Sequence, residues 1–155
     1  MLLTINGYNK LREDLEKLVK VDLPHVVNML EETRPIGVSD EFPPEYLQAL
    51  DLQNRVEKKI LDIRKILSSC LIFEPSMVKK VGNDILIGFG CSVELYDITR
   101  KKSIVYKIVS TMESDVSNGF ISIDCPFSKE MFGLKAGDCF EFNDNEYEIK
   151  SVSIL

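Results

Sequence analysis

The chain has 155 residues, a formal net charge of −6, 45% hydrophobic residues and 28% charged residues, which are the proportions of an ordinary globular protein. The acidic balance argues against a broad nucleic-acid-binding surface, because such a surface needs an excess of Lys and Arg to neutralise phosphates. No apolar run approaches the roughly 20 residues that span a bilayer, and no secretory signal begins the chain, so we expect a cytoplasmic protein without membrane contact.

The cysteines and histidines exclude several kinds of active site. The four cysteines, Cys70, Cys91, Cys125 and Cys139, form no CxxC pair, and His25 is the only histidine. A zinc site and a histidine-activated nucleophile therefore lack their usual residues, and no glycine-rich phosphate loop is present. We expect a protein that is not itself an enzyme and has no cofactor of its own. Cys91 and Cys139 lie in predicted strands and are expected to pack as small hydrophobic residues.

The first half of the chain has helical periodicity. Thr4 or Asn6 is a candidate N-cap of the first helix, and Pro24 should kink that helix or break its hydrogen-bond ladder locally, because proline has no N–H to donate. Pro35 closes the segment. The apolar residues of the first helix recur at the three-four spacing of a coiled-coil seam, at Tyr8, Leu11, Leu15 and Leu18.

A second helix is predicted from Pro44 or Glu45 to Ser68 or Ser69, with a proline suited to its first turn. Each helix would be on the order of 35–45 Å long. The pattern predicts an antiparallel helical hairpin, either projecting as a stalk or folded onto the rest of the chain. The predicted stripe of the second helix consists of Tyr46, Ala49, Gln53, Val56, Ile60, Ile63 and Leu67.

The segment that joins the two helices, residues 33–46, reads TRPIGVSDEFPPEY and carries three carboxylates, Asp40, Glu41 and Glu45. An acidic tip on a helical hairpin indicates a probe that enters a cavity of a partner. Acidic residues before a helix are also common because they cap its free N–H groups and complement its dipole. Both interpretations stay open on the residues alone.

The second half has the period of β-strands. We predict strands over residues 85–89, 92–96, 103–109, 120–123, 138–142 and 146–154, separated by Gly and Asn turns. One short helix is predicted over residues 126–132, with Gly133 as its C-cap glycine. The fold class is therefore α+β: an N-terminal antiparallel helical hairpin over residues 1–74, then a small antiparallel sheet with one short helix over residues 75–155.

Six short motifs, in this order and spacing, resemble the bacterial Gre transcription elongation (transcript cleavage) factor family, of the GreA/GreB type. The resemblance covers nearly the whole chain and implies an N-terminal coiled-coil finger and an FKBP-like C-terminal domain without isomerase activity. The residues that carry it are Thr4, Gly7, Lys10 and Leu11 with Asp14-Leu15; Pro24; Arg34 and Gly37 with Glu45-Tyr46; Asp62-Ile63; residues 87–93; and residues 121–126 with Gly133 and Gly137-Asp138.

The resemblance implies bacterial RNA polymerase as the partner. Members of the family place the finger in the polymerase secondary channel, where tip carboxylates help to hold a Mg²⁺ ion while the polymerase cuts backtracked RNA. In this sequence Asp40 and Glu41 are the matching candidates, sharing Mg²⁺ with the polymerase active site, and Arg34 and Glu45 are possible contacts near the RNA 3′ end. We expect a monomeric accessory factor rather than a nuclease.

The resemblance also implies a docking loop in the C-terminal domain. Asp124, Cys125 and Pro126 match the loop with which the family contacts the polymerase, and Cys125 replaces the usual serine. An Asp-x-Pro turn before a helix is also ordinary capping chemistry. The docking role of these residues therefore rests on the resemblance.

The sequence departs from the family pattern in three ways. Val38 stands one residue after Gly37, where the family has aspartate, and the tip is one residue longer; Leu50 stands where cleavage-active members often carry arginine. Three functions stay open: stimulation of transcript cleavage, inhibition of polymerase or antagonism of Gre factors from the same channel, and a coiled-coil adaptor or FKBP-like binding module. The third function is disfavoured because the C-terminal half of the chain has no Trp and few aromatic residues to line a ligand pocket.

Overall fold

The structure is a computed structural model that describes residues 1–37 and 42–155. The chain forms two compact units, one of residues Tyr8–Cys70 and the other of Met1–Gly7 together with Leu71–Leu155. Among the described residues, no helix combines the length and the apolar composition needed to cross a membrane. The predicted division into domains at residue 74 stays a prediction.

The described part of the helical unit is built from three α-helices. The first, α1, spans Ile5–Lys17 and continues through a π-helical turn, Leu18–Asp22, into α2, Leu23–Glu32. The third, α3, spans Pro44–Ser69, with Pro44 in the first turn as predicted. Its 26 residues make it about 39 Å long at 1.5 Å per residue.

Pro24 explains the π-helical turn. The residue before it, Leu23, donates its N–H to the carbonyl of Leu18, five residues back instead of four. Proline has no N–H for the next bond of the ladder, and its ring crowds the preceding turn, so a wider turn relieves the contact. The predicted local break of the ladder is confirmed, and the backbone stays in the right-handed helical region on both sides.

The seam between the helices follows the predicted stripe. Helix α2 and the π-helical turn pack against α3. Every residue of the predicted stripe of α3 is buried or half-buried. In α2, Val26 is buried and Leu30 is half-buried, but Val27, which the pattern after Pro24 also predicts for the seam, is 36% exposed. The buried apolar side chains of this unit are Leu11, Leu18, Val26, Ala49, Ile60 and Ile63.

The second unit is built on a five-stranded sheet. Its strands are β5 (Cys91–Asp97), β6 (Lys102–Val109), β7 (Phe120–Ser122), β8 (Cys139–Phe142) and β9 (Asn145–Ile154), in the order β7-β6-β5-β9-β8. A two-stranded ladder of β3 (Lys80–Val81) and β4 (Asp84–Ile85) precedes it, and helix α4 spans Pro126–Met131. The α+β class is confirmed.

One pair of strands differs from the predicted antiparallel sheet. Strands β6 and β7 pair in parallel, with Lys107 opposite Phe120. The chain between them passes through two 3₁₀ turns, Thr111–Glu113 and Val116–Asn118, and returns to the level of Lys107, whose N–H donates to the carbonyl of Gly119. This return makes β7 run in the same direction as β6, so the sheet is mixed.

The core lies between one face of the sheet and helix α4. Strand β5 alternates, with Val93 and Leu95 fully buried and Glu94 exposed, as expected for a sheet covered on one face. Ile108 and Ile149 come from the neighbouring strands, and Met131 from α4.

Two strand predictions need correction. The run over residues 85–89 is a strand only at Ile85, because the chain turns at Gly90, where φ is +78°. Cys139 is exposed rather than packed in the core, because the inward positions of β8 are Phe140 and Phe142. Cys91 is buried as expected, and its burial raises the pKa of its thiol.

The chain start belongs to the sheet unit. Strand β1, Leu2–Leu3, pairs in parallel with β2, Leu71–Ile72. Thr4 is the N-cap of α1, as predicted, since its Oγ1 accepts a hydrogen bond from Gly7 N at 3.0 Å. The carboxylate of Glu113 accepts the N–H of Thr4 at 3.2 Å and also its hydroxyl.

Replacing Gly90 by alanine tests the packing at the turn before β5. A Cβ at Gly90 would lie 2.1 Å from the ring of Phe73, which is buried, in addition to the strain of its positive φ. We expect Gly90→Ala to lower the free energy of unfolding by about 3–4 kcal/mol, measured by urea denaturation. Gly82→Ala is the matched control, because Gly82 has φ +62° and no atom within 4 Å of its Cβ position; it should cost only ~1 kcal/mol. Equal losses for the two variants would contradict the role of Phe73.

Candidate functional site

The acidic residues of the hairpin tip, Asp40 and Glu41, lie outside the described residues. Their assignment as tip carboxylates stays a prediction. Among residues 1–37 and 42–155, no group of three or more His, Cys, Asp or Glu is placed to hold a metal ion. Carboxylate oxygens are the ligands that Mg²⁺ prefers, so these two residue types fit magnesium ligands.

The residues that flank the tip are described. Arg34 and Glu45 are both exposed, Arg34 just after the end of α2 and Glu45 in the first turn of α3. Glu45 complements the positive end of the α3 dipole, so its position has a structural explanation apart from any partner. Phe42 is 55% exposed, and its ring stacks on Tyr46 with centroids 5.5 Å apart.

The predicted docking residues lie together in the loop between β7 and α4. Asp124 and Pro126 are exposed on either side of Cys125, which is half-buried. Pro126 occupies the first turn of α4, where its missing N–H costs nothing. The loop therefore presents a carboxylate and a proline ring to solvent side by side.

Cys125, the central residue of the loop, is the N-cap of α4. Its Sγ accepts a hydrogen bond from Ser128 N at 3.4 Å and lies 3.1 Å from Ser128 Oγ. Ser128 is 1% exposed, so its hydroxyl depends on this contact for a partner. The capping chemistry predicted for the Asp-x-Pro turn is thus present, and the capping residue is Cys125.

A chain of side-chain hydrogen bonds fixes the conformation of Asp124. Thr111 Oγ1 donates to Asp124 Oδ2 at 3.0 Å and lies 2.9 Å from Ser122 Oγ, which accepts the N–H of Asp124 at 3.1 Å. Ser122 is buried at the end of β7. The spacing of Ser128 three residues after Cys125 is a capping pattern visible in the sequence, whereas Thr111 gives no sequence signal, because it lies 13 residues from Asp124.

The aromatic residues of the sheet unit form a cluster, contrary to the expectation that this half has too few of them. The ring of Phe127, the second residue of α4, lies 5.1–5.5 Å from four other rings, in edge-to-face contacts with Tyr106, Phe140, Phe142 and Tyr147. Such contacts are the preferred geometry of packed aromatic rings. The rings of Tyr106, Phe127 and Phe140 in this cluster are partly buried and pack against the hydrophobic core. Burial raises the pKa of the Tyr147 hydroxyl, and the negative charge of Asp97 adds to this effect.

Two family models together match almost the whole chain: "Transcription elongation factor, N-terminal" over residues 1–72 and "Transcription elongation factor, GreA/GreB, C-term" over residues 83–154. The chain is 33% identical to transcription elongation factor GreA of Alkalilimnicola ehrlichii over 154 residues, which covers 97% of this chain and 95% of the relative. It is 35% identical to GreA of Neorickettsia sennetsu over 141 residues, covering 91% and 86%.

The similarity to transcription elongation factors therefore covers the helical hairpin, the mixed sheet and the loop between β7 and α4. The chain belongs to the GreA/GreB family of transcription elongation factors. Among solved structures it resembles GreA factor homolog 1 (Gfh1) of Thermus thermophilus, at 25% identity and a TM-score of 0.43, covering 99% of this chain and 98% of the other. This TM-score marks a loose superposition, from which nothing about function follows.

Substitutions at Cys125 test the capping of the docking loop. Sulfur is a weak acceptor, and serine is among the best N-cap residues. We expect Cys125→Ser to raise the free energy of unfolding by about 0.5 kcal/mol, and Cys125→Ala to lower it by about 1 kcal/mol. Urea denaturation with unchanged m-values measures both. A lower stability of Cys125→Ser than of Cys125→Ala would contradict the capping role.

Proposed function

We propose that this chain binds bacterial RNA polymerase at the secondary channel and stimulates the polymerase's own cleavage of backtracked RNA. The observation that carries the proposal is its similarity to GreA proteins over 97% of its length, which includes both the helical hairpin and the sheet unit. In this proposal residues 1–74 are the finger that approaches the RNA 3′ end, and residues 75–155 are the docking domain. The chain acts as a single copy and as an accessory factor, and the polymerase performs the chemistry.

The β7–α4 loop supports the docking part of the proposal. Asp124 and Pro126 are both exposed, and the hydrogen bonds of Asp124 and the N-cap of Cys125 fix the backbone between them. A fixed loop loses little conformational entropy on binding, which favours its use as a contact surface.

The tip carboxylates supply the catalytic assistance in this proposal. Asp40 and Glu41 are adjacent in sequence and can both offer hard oxygen ligands. In a polymerase active site two magnesium ions together would stabilise the attacking and leaving oxygens of the cleaved phosphate, and Asp40 and Glu41 would help to hold the second ion. The role of this chain is to bring the carboxylates to that ion and to hold them there.

A second candidate function is inhibition from the same channel. The specific observation that favours it is Val38, which stands where the family pattern has aspartate after Gly37, together with Leu50 in place of arginine. A tip that enters the channel without a well-placed pair of carboxylates would occupy it without assisting cleavage. An FKBP-like ligand binder is disfavoured, because Phe127 packs edge-to-face against four of the aromatic rings that would have to line its pocket.

A transcript-cleavage assay on backtracked bacterial elongation complexes tests the tip. We expect the wild type to accelerate cleavage, and Asp40→Ala and Glu41→Ala each to lose about tenfold to a thousandfold of the acceleration, because each removes a metal ligand. Glu57→Ala is the matched control, since Glu57 is an exposed carboxylate on α3 of the same hairpin. Absence of stimulation, with displacement of a cleavage-active GreA, would establish the inhibitory function. If the chain neither stimulates cleavage nor displaces GreA, the proposal as a whole is overturned.

Polymerase affinity tests the docking loop independently of the tip. We expect Asp124→Ala and Pro126→Ala each to weaken binding by roughly tenfold, which is about 1.4 kcal/mol, without lowering the melting temperature by more than a few degrees. Glu141→Ala, an exposed carboxylate on β8, is the control. Normal binding by both loop variants would remove the docking assignment.

A further inference from the structure

Thr111 is not one of the predicted docking residues, but it contacts the docking loop. It is the first residue of the 3₁₀ turn Thr111–Glu113, which follows β6. Its hydroxyl contacts two oxygens of the docking loop, Asp124 Oδ2 at 3.0 Å and Ser122 Oγ at 2.9 Å. Thr111 is itself exposed, so burial does not require a partner for its hydroxyl.

The protons of this group have one consistent assignment. A threonine hydroxyl carries a single proton, and the carboxylate of Asp124 can only accept, so Thr111 Oγ1 donates to Asp124 Oδ2. Ser122 Oγ then donates to Thr111 Oγ1 and accepts the N–H of Asp124. The side chain of Asp124 is therefore hydrogen-bonded to the hydroxyl of Thr111, and its backbone N–H to the hydroxyl of Ser122.

The turn that carries Thr111 is itself anchored. Glu113, two residues further on, accepts the hydroxyl of Ser110 at 2.8 Å and the N–H of Thr4 at 3.2 Å. Ser110, the residue before the turn, is 5% exposed. A donor on a rigid turn restricts an exposed acidic side chain much more than a donor on a mobile loop would.

We infer that Thr111 is a positioning residue of the docking loop: its hydroxyl holds the Asp124 carboxylate in the conformation that meets the polymerase. This inference rests on the proposed docking role of Asp124. One carboxylate oxygen is bound to Thr111, and the other stays available to the partner. Holding a side chain in its bound conformation before association removes part of the entropy cost of binding. The contribution of Thr111 should therefore appear in affinity and depend on the presence of Asp124.

Two substitutions separate the hydroxyl from the shape of the side chain. Thr111→Val keeps the branched shape and removes the donor, whereas Thr111→Ser keeps the donor and removes a methyl group. We expect Thr111→Val to weaken binding to the polymerase about three- to tenfold and Thr111→Ser to bind within about twofold of the wild type. Affinity is measured with core polymerase at fixed salt, and melting temperatures are measured on the same preparations.

A double-mutant cycle with Asp124→Ala completes the test. We expect Thr111→Val to cause no further loss of affinity in the Asp124→Ala background, because the group that it positions is gone. An equal loss in both backgrounds would overturn the inference, since Thr111 would then act through the stability of the fold. If Thr111→Val binds the polymerase as tightly as the wild type while Asp124→Ala binds more weakly, the inference about Thr111 is overturned, but the docking assignment of Asp124 stands. Wild-type affinity of Asp124→Ala would overturn the docking assignment and the inference together.

Discussion

One carboxylate, that of Glu113, joins the start of the chain to a turn more than a hundred residues later. It accepts the N–H and hydroxyl of Thr4 and the hydroxyl of Ser110. A half-buried carboxylate is stabilised when several donors satisfy its oxygens, and here the donors come from both segments. Gly7 is part of this arrangement, because a Cβ at that position would lie 2.0 Å from Glu113 Oε1 and would displace the carboxylate from its donors.

The same turn also serves the docking loop, and the chemistry on its two sides is similar. On one side Glu113 accepts from the first residues of the chain, and on the other Thr111 donates to Asp124. The turn lies in the connection by which the chain returns after β6 to pair β7 in parallel. A topological detail of the sheet therefore places a donor beside a loop that would otherwise have to order its exposed carboxylate alone.

The helices and their seam could be predicted from the sequence because their determinants are local. The three-four spacing, Pro44 at the start of α3 and the effect of Pro24 on the hydrogen-bond ladder all depend on neighbours within about one turn. The contact of Thr4 with Glu113 joins residues 109 apart, and the parallel pairing of β7 depends on the course of a ten-residue connection. No short-range pattern encodes either, so both came from the structure.

The candidate site likewise has features that could be predicted from the sequence and features that could not. The motif that contains Asp124 and Pro126 is visible in the sequence, and so is a capping pattern at Cys125, but the donor that fixes Asp124 is not. Because sulfur replaces oxygen as the N-cap acceptor, the hydrogen bond from Thr111 is more important for the conformation of the loop. A cap in which Sγ accepts at 3.4 Å is weaker than a serine cap, so the loop relies more on the hydrogen bonds among Thr111, Ser122 and Asp124 for its conformation. Because the helix that follows has only six residues, its own hydrogen bonds add little order to the loop, and the side-chain contacts decide how the carboxylate is presented.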